Sequence, residues 1–258
     1  MSQLTRLSVT ALVIILILLP VTSSAVERQQ RGYRSSGVSG WEFGFGLGWG
    51  HNSFDDINDY YLDEVAIPLG IFHNNLDDGF TGYVELGCKA SPQVGIFVGY
   101  NYLTSDVERS HDLRIGDYNG NDVIVRAKTS LEGSISAPYL KMKVNLIPQK
   151  PTLFVTFGGA LCYGTATIKT RLPEEIIVNP GDPYRYTASG SGLFGSVGVA
   201  FPLARNIDFV SELGYRDFQT DDLEDEDGNF WLVDAPNPTR MSLSTQGVYL
   251  HGGLAVGF

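Results

Sequence analysis

The sequence predicts an all-β chain of eight antiparallel strands, closed up and down into a transmembrane barrel. Three observations carry that reading. Eight segments alternate large apolar residues with small or polar ones, and short and long connections alternate strictly between them. The mean hydropathy is only -0.02, and after residue 25 no apolar run is long enough to cross a bilayer as a helix. Successive side chains of a strand point to opposite faces, so a barrel can be apolar outside and still average near neutral.

The first 25 residues read as a secretory signal. Arg6 supplies a positive start, Val9 to Leu19 an apolar core, and Ser23 and Ala25 the small residues of a cleavage site. Residues 26–39 are polar and aperiodic, a flexible leader, and the barrel domain is expected over 40–258. Its first strand sets Trp41, Phe43, Phe45, Leu47 and Trp49 against Glu42, Gly44, Gly46, Gly48 and Gly50. A soluble sheet would put Thr, Lys or Ser on its polar face, whereas small residues suit the inside of a narrow barrel.

Seven further stripes follow, led by Val84-x-Leu86-x-Cys88, Val94 to Tyr102, Leu140 to Leu146, Leu153 to Tyr163, Leu193 to Phe201, Ile207 to Tyr215, and Val248 to Phe258. Three connections are tight and carry proline, at 90–93, 148–151 and 202–206. The other four are long, roughly 51–79, 104–132, 164–190 and 217–245. Antiparallel neighbours put alternate connections on opposite ends, which gives short periplasmic turns on one side and four long extracellular loops on the other. Trp49, Tyr100, Tyr102, Tyr163 and Tyr215 fall near the long-loop end, and Trp41, Phe201 and Phe258 at the turn end, as two aromatic girdles would.

These features resemble the small outer-membrane β-barrel superfamily with its OmpA-, OmpX- and OmpW-like members. The resemblance covers residues 40–258 and includes the terminal stretch Tyr249-Leu-His-Gly-Gly-Leu-Ala-Val-Gly-Phe258. It implies an outer-membrane location among lipids and lipopolysaccharide, and a last strand offered to the barrel assembly machinery.

Eight strands leave an interior that side chains can fill. Glu85, Lys141 and Glu212 lie on the inward stripe at similar heights, with Lys143 and Arg216 within a few residues of that level. The five are expected to form a salt-bridge network plugging the lumen, with Lys89 and His251 on the same stripe. A switchable gate is the alternative use of such charges. His251 has no serine partner in its stripe, so no catalytic residues, cofactor or metal ligands are assigned and the chain is not read as an enzyme. Cys88 and Cys162 fall toward opposite ends of distant strands and read as two free thiols.

The net charge of -11 argues against nucleic acid as a partner. The acids gather in the loops: Asp55 to Glu64, Asp117 to Asp122 and Asp221 to Asn229. Asp221, Asp222, Asp225, Asp227, Asp117 and Asn119 are candidates for divalent-cation contacts that bridge to lipopolysaccharide phosphates, and solvated loop tips are the plainer reading. Apolar loop segments at 65–72, 176–178 and 230–233 would pack as a cap, extend the strands, or mark a partner surface. The functional expectation is a structural and surface-interaction barrel that supports membrane integrity and presents acidic loops to an unknown surface ligand. The resemblance to OmpW-like members implies the alternative, a conduit for small hydrophobic molecules.

Overall fold

The computed structural model describes residues 40–54, 57–59, 76–116, 122–147, 151–171, 184–233 and 239–258. The signal and leader expected over 1–39 lie outside the described residues. Eight strands form one closed ring: β1 (Trp41–Ser53), β2 (Asp78–Lys89), β3 (Val94–Gly116), β4 (Asp122–Ile147), β5 (Thr152–Arg171), β6 (Tyr184–Ala204), β7 (Ile207–Thr220) and β10 (Thr245–Gly257). A short hairpin, β8 (Leu232–Val233) with β9 (Thr239–Arg240), lies in the connection between β7 and β10. All ring pairings are antiparallel between sequence neighbours, and β1 closes the ring against β10 from Glu42↔Gly257 to Ser53↔Gln246. One step beyond that ladder, the Trp41 amide donates to the Phe258 carbonyl (3.0 Å) and the Phe258 amide to the Trp41 carbonyl (2.9 Å). The last residue therefore completes the seam.

The alternation in sequence becomes an alternation of faces. On β1, Trp41, Phe43, Phe45, Leu47 and Trp49 are exposed while Glu42, Gly44 and Gly46 are buried. The same belt continues through Val84, Val98, Leu140, Leu161, Leu193, Leu213 and Leu250. So continuous an apolar surface is stable only against lipid.

Inside, the bulk is carried by rings set over glycines. Tyr83 lies across from Gly46, Phe97 from Gly87, Tyr139 from Gly99, and Tyr249 from Gly214, each a direct cross-strand pair. A Cβ on any of these glycines would run into the facing ring. Glycine here is a matter of room rather than of backbone freedom, and the ring in turn covers the bare backbone.

The long-loop expectation needs correction at two places. Residues 104–116 and 122–132 are strand, paired from Thr104↔Ser134 to Gly116↔Asp122, and residues 164–171 and 184–190 extend β5 and β6. The physical reason is a change of phase. Within the belt the large apolar residues point outward, as Val98, Tyr100 and Tyr102 do. Above it water replaces lipid, so Leu103 and Val107 turn inward while Asp106 and Glu108 face out. A stripe that shifts by one residue stops looking like a stripe.

Those inward residues form the upper core. Leu103, Val107, Leu131, Ile135, Cys162 and Ala166 of the wall pack with Phe54, Ile57 and Leu76 and with Leu223, Trp231, Met241 and Leu243 from the last connection. Main-chain bonds fold that connection on itself, from Leu223 to Met241 (2.7 Å) and from Trp231 to Leu223 (2.9 Å), and tie it to β6 from Thr187 to Glu224 (2.8 Å). Strand extension and an apolar cap thus occur together. The segments 65–72 and 176–178 lie outside the described residues.

Replacing Gly46 by Val should cost about 1–3 kcal/mol through the clash with the Tyr83 ring. Urea unfolding in lipid vesicles measures this, and adding Tyr83→Ala to the same chain should recover part of the loss.

Candidate functional site

The bore holds its charged side chains at successive levels. Nearest the proline turns, Glu42 on β1 accepts from Lys143 Nζ (3.0 Å) and pairs with Lys89 Nζ (2.8 Å). At mid-height, Lys141 Nζ lies 2.6 Å from Glu85 and 4.0 Å from Glu212. The Tyr139 hydroxyl donates to Glu85 (2.7 Å), and Glu212 accepts from Thr156 (3.1 Å) and from Ser196. The ammonium groups also stand over rings, Lys143 above Phe154 at 4.6 Å and Lys141 beside Tyr83 at 5.5 Å. Taking such charges out of water costs several kcal/mol per ion, and only dense pairing offsets it. Each carboxylate here has at least two donors.

Arg216 behaves differently from the ion-pair expectation. It is 1% exposed, and its Nη1 donates to Thr81 Oγ1 (3.2 Å) and Asn101 Oδ1 (3.5 Å) while its guanidinium lies 4.5 Å over the Tyr249 ring. It makes no salt bridge among the described residues, and Nε and Nη2 have no partner there. The mid-height carboxylates have other partners, Glu85 in Lys141 and Tyr139, Glu212 in Lys141, Thr156 and Ser196. The void that Arg216 shares with Tyr139, Phe194 and Tyr249 is only about 10 Å³, room for roughly one water.

Of the residues expected in the network, the structure brings together Glu85, Lys141 and Glu212, sets Lys143 one level lower, and leaves Arg216 outside the ion pairs. Glu42 was missed as a member. Its signal was present, because it is the charged residue on a face otherwise made of glycine. His251 is buried with its Nε2 3.2 Å from Thr81 Oγ1, between the rings of Tyr83 and Tyr249. Cys88 is exposed and Cys162 is buried in the cap, and both are free.

The girdle residues all stand on the outer face. Trp49, Tyr100, Tyr102, Tyr163 and Tyr215 ring the long-connection end, and Trp41, Phe201 and Phe258 the other. The described loop acids are not gathered around a common point. Asp225 accepts from the Asn229 and Asp227 amides (2.8 and 3.0 Å) and from the Asn229 side chain, which hold its carboxyl below the usual range. Asp222 pairs with Arg240 (3.1 Å), whose guanidinium covers Phe230 at 3.8 Å. Asp221 is exposed, as is Asp227, and among the described residues no cluster of His, Cys, Asp or Glu is arranged to hold a metal. Of these four acids, Asp225 closes a turn and Asp222 an ion pair. Asp117 and Asn119 lie outside the described residues. At the same rim His51 Nδ1 meets Asp78 at 2.8 Å, and that hydrogen bond raises the imidazole above its ordinary 6.5.

A sequence family described as outer membrane protein beta-barrel domain matches residues 16–234. No curated protein matches the sequence. Among solved structures, Neisserial surface protein A is similar at 12% identity, over 86% of this chain and 100% of that one, with a TM-score of 0.38. A major outer membrane protein from Thermus thermophilus is 16% identical over 86% and 100%, TM-score 0.46. The outer membrane protease OmpT from Escherichia coli is 11% identical over 88% and 99%, TM-score 0.43.

Two outcomes follow from the charges. Lys141→Met strands Glu85 and Glu212 without a cation and should cost about 3–5 kcal/mol. Adding Glu85→Gln and Glu212→Gln should return most of it in the same urea titration. For His51, the pair stabilises below the imidazole's unfolded pKa and its contribution fades as pH rises through the higher folded value. Both side chains are exposed, so the effect on stability stays small. Ring resonances in an NMR titration should show the raised value, and Asp78→Asn should bring it back toward 6.5.

Proposed function

The chain belongs to the outer membrane protein β-barrel domain family, and from that premise we propose a closed-bore barrel that works through its wall and external surface rather than by passing solutes. The observation that carries this reading is the filled bore. Ion pairs and rings occupy its lower half, and the apolar cap of Phe54, Leu131, Trp231 and Leu243 occupies its upper half. The external end offers Asp221, Glu224, Glu226 and Asp227 to solvent, an acidic surface for a cationic partner. In this reading the lumen charges are structural, His251 is a packed interior residue, and no reaction is assigned to the chain. The aromatic end of β10, locked to β1 through Trp41, serves closure and recognition during assembly. A conduit for small hydrophobic molecules would need open apolar space under the loops, whereas the described apolar residues there pack against one another.

Purified protein in planar bilayers should give no stable unit conductance at neutral pH. Reproducible discrete channels would overturn the closed-bore reading.

A further inference from the structure

Although the chain is acidic overall, several of its basic residues gather in one place. Lys128 on β4, Lys169 and Arg171 on β5, and Arg185 on β6 stand on the outward faces of three adjacent strands above the girdle. The register puts Lys128 directly across from Arg171, Lys169 beside Ser130, and Arg185 across from Thr167. Arg126 extends the group upward on β4, facing Asp112 across the β3–β4 pair. Acids temper the patch: Glu108 at 2.6 Å from Lys128, Glu132 at 4.0 Å from Lys169, Asp112 across from Arg126, and Glu224 bridged to Thr187 on β6. Arg171 and Arg185 make no salt bridge among the described residues. Lys128 and Arg171 are like charges directly opposite, an arrangement that destabilises a sheet, so an anion seated beside them would relieve the wall.

What lies below the cations is equally specific. Between them and the belt the outward positions, Glu132 apart, are hydroxyls: Ser134 and Ser136 on β4, Thr165 and Thr167 on β5, Thr187 and Ser189 on β6. Reading up β5 therefore gives Leu161, then Tyr163, then two threonines, then Lys169 and Arg171. Six residues separate Tyr163 from Lys169, about 20 Å along the strand, or roughly 15 Å along the membrane normal at a typical tilt. That order is apolar, aromatic, hydroxyl, cationic.

We propose that the outward wall of β4, β5 and β6 binds a phosphorylated glycolipid of the outer leaflet, of the lipopolysaccharide kind. Its acyl chains lie along Leu161 and Leu193, its sugars meet the serine and threonine hydroxyls, and its phosphate or carboxylate groups take Lys169, Arg171 and Arg185. Guanidinium groups suit this role because they grip phosphate through two parallel hydrogen bonds. The continuity of the hydroxyl strip with the lipid-facing belt favours a membrane-anchored ligand over a free polyanion. The proposal rests on the outer-membrane setting and not on the closed bore, so the conductance experiment leaves it untouched.

The test uses the full chain reconstituted in phosphatidylethanolamine vesicles containing lipopolysaccharide, with retained glycolipid counted by native mass spectrometry after detergent extraction. The parent should keep bound glycolipid, and the combined Lys169→Ser, Arg171→Ser, Arg185→Ser variant should keep roughly tenfold less. Glu132→Gln removes a competing carboxylate and should raise retention. Retention should fall as salt is added. Dephosphorylated glycolipid on the unaltered chain should be held weakly, an arm that needs no variant to fold. Equal retention by parent and triple variant, or of phosphorylated and dephosphorylated lipid, overturns the proposal. So does tight binding of soluble heparin with no glycolipid retained, which would mark a site for free polyanions.

Discussion

An eight-stranded ring has a bore about one side chain across, and this chain fills it by laying rings over glycines of the neighbouring strand. Tyr83 on Gly46, Phe97 on Gly87, Tyr139 on Gly99 and Tyr249 on Gly214 recur around the barrel. Each pair does two things. The glycine makes room that a Cβ would close, and the ring seals backbone that a glycine leaves bare. The lumen residues that carry charge occupy the gaps between these rings, so their geometry depends on the pairs being intact.

The charges are arranged within that frame. Lys141 links two carboxylates from opposite walls, Glu85 and Glu212, and Glu42 joins Lys89 and Lys143 below. Cross-bore contacts of this kind tie together strands that the sheet ladder alone does not connect. Arg216 completes the interior through hydroxyl, amide and ring contacts instead of a carboxylate, beside a void about the size of one water. A buried cation held this way adds order to the upper bore without linking it to the ion pairs below.

Outside, a single change of solvent organises the wall. Lipid around the belt draws Leu, Val, Phe and Tyr outward, and water above it draws Ser, Thr, Lys, Arg, Asp and Glu outward while the apolar residues turn in. Tyr102, Tyr163 and Tyr215 are the last outward aromatic residues of β3, β5 and β7 before that change. The same switch produces the cap, since the inward residues of the upper strands need partners and find them in Leu223, Trp231, Met241 and Leu243. The external end is therefore a continuation of the barrel with its own core, and the residues presented to the surroundings are set by strand register.

By itself the sequence determined the number of strands, their direction, their lipid-facing residues and the inward placement of Glu85, Lys141 and Glu212. The direction follows from the alternation of short and long connections, and the rest from a period of two along each strand, a local property that needs no knowledge of neighbours. The seam between Trp41 and Phe258 was legible only in part, since the terminal stripe marked a last strand without naming its register. The upper reaches of β3 to β6 were hidden because the phase of the stripe reverses where water replaces lipid. Which charges pair was decided by tertiary structure alone. Glu42 and Lys143 lie 101 residues apart and meet only across the closed ring, whereas Arg216 and Glu212, close in sequence on one strand, take different partners. The glycines showed the same division. Their small size was plain from the sequence, but the facing rings that require it come from other strands, and only the closed barrel brings them opposite.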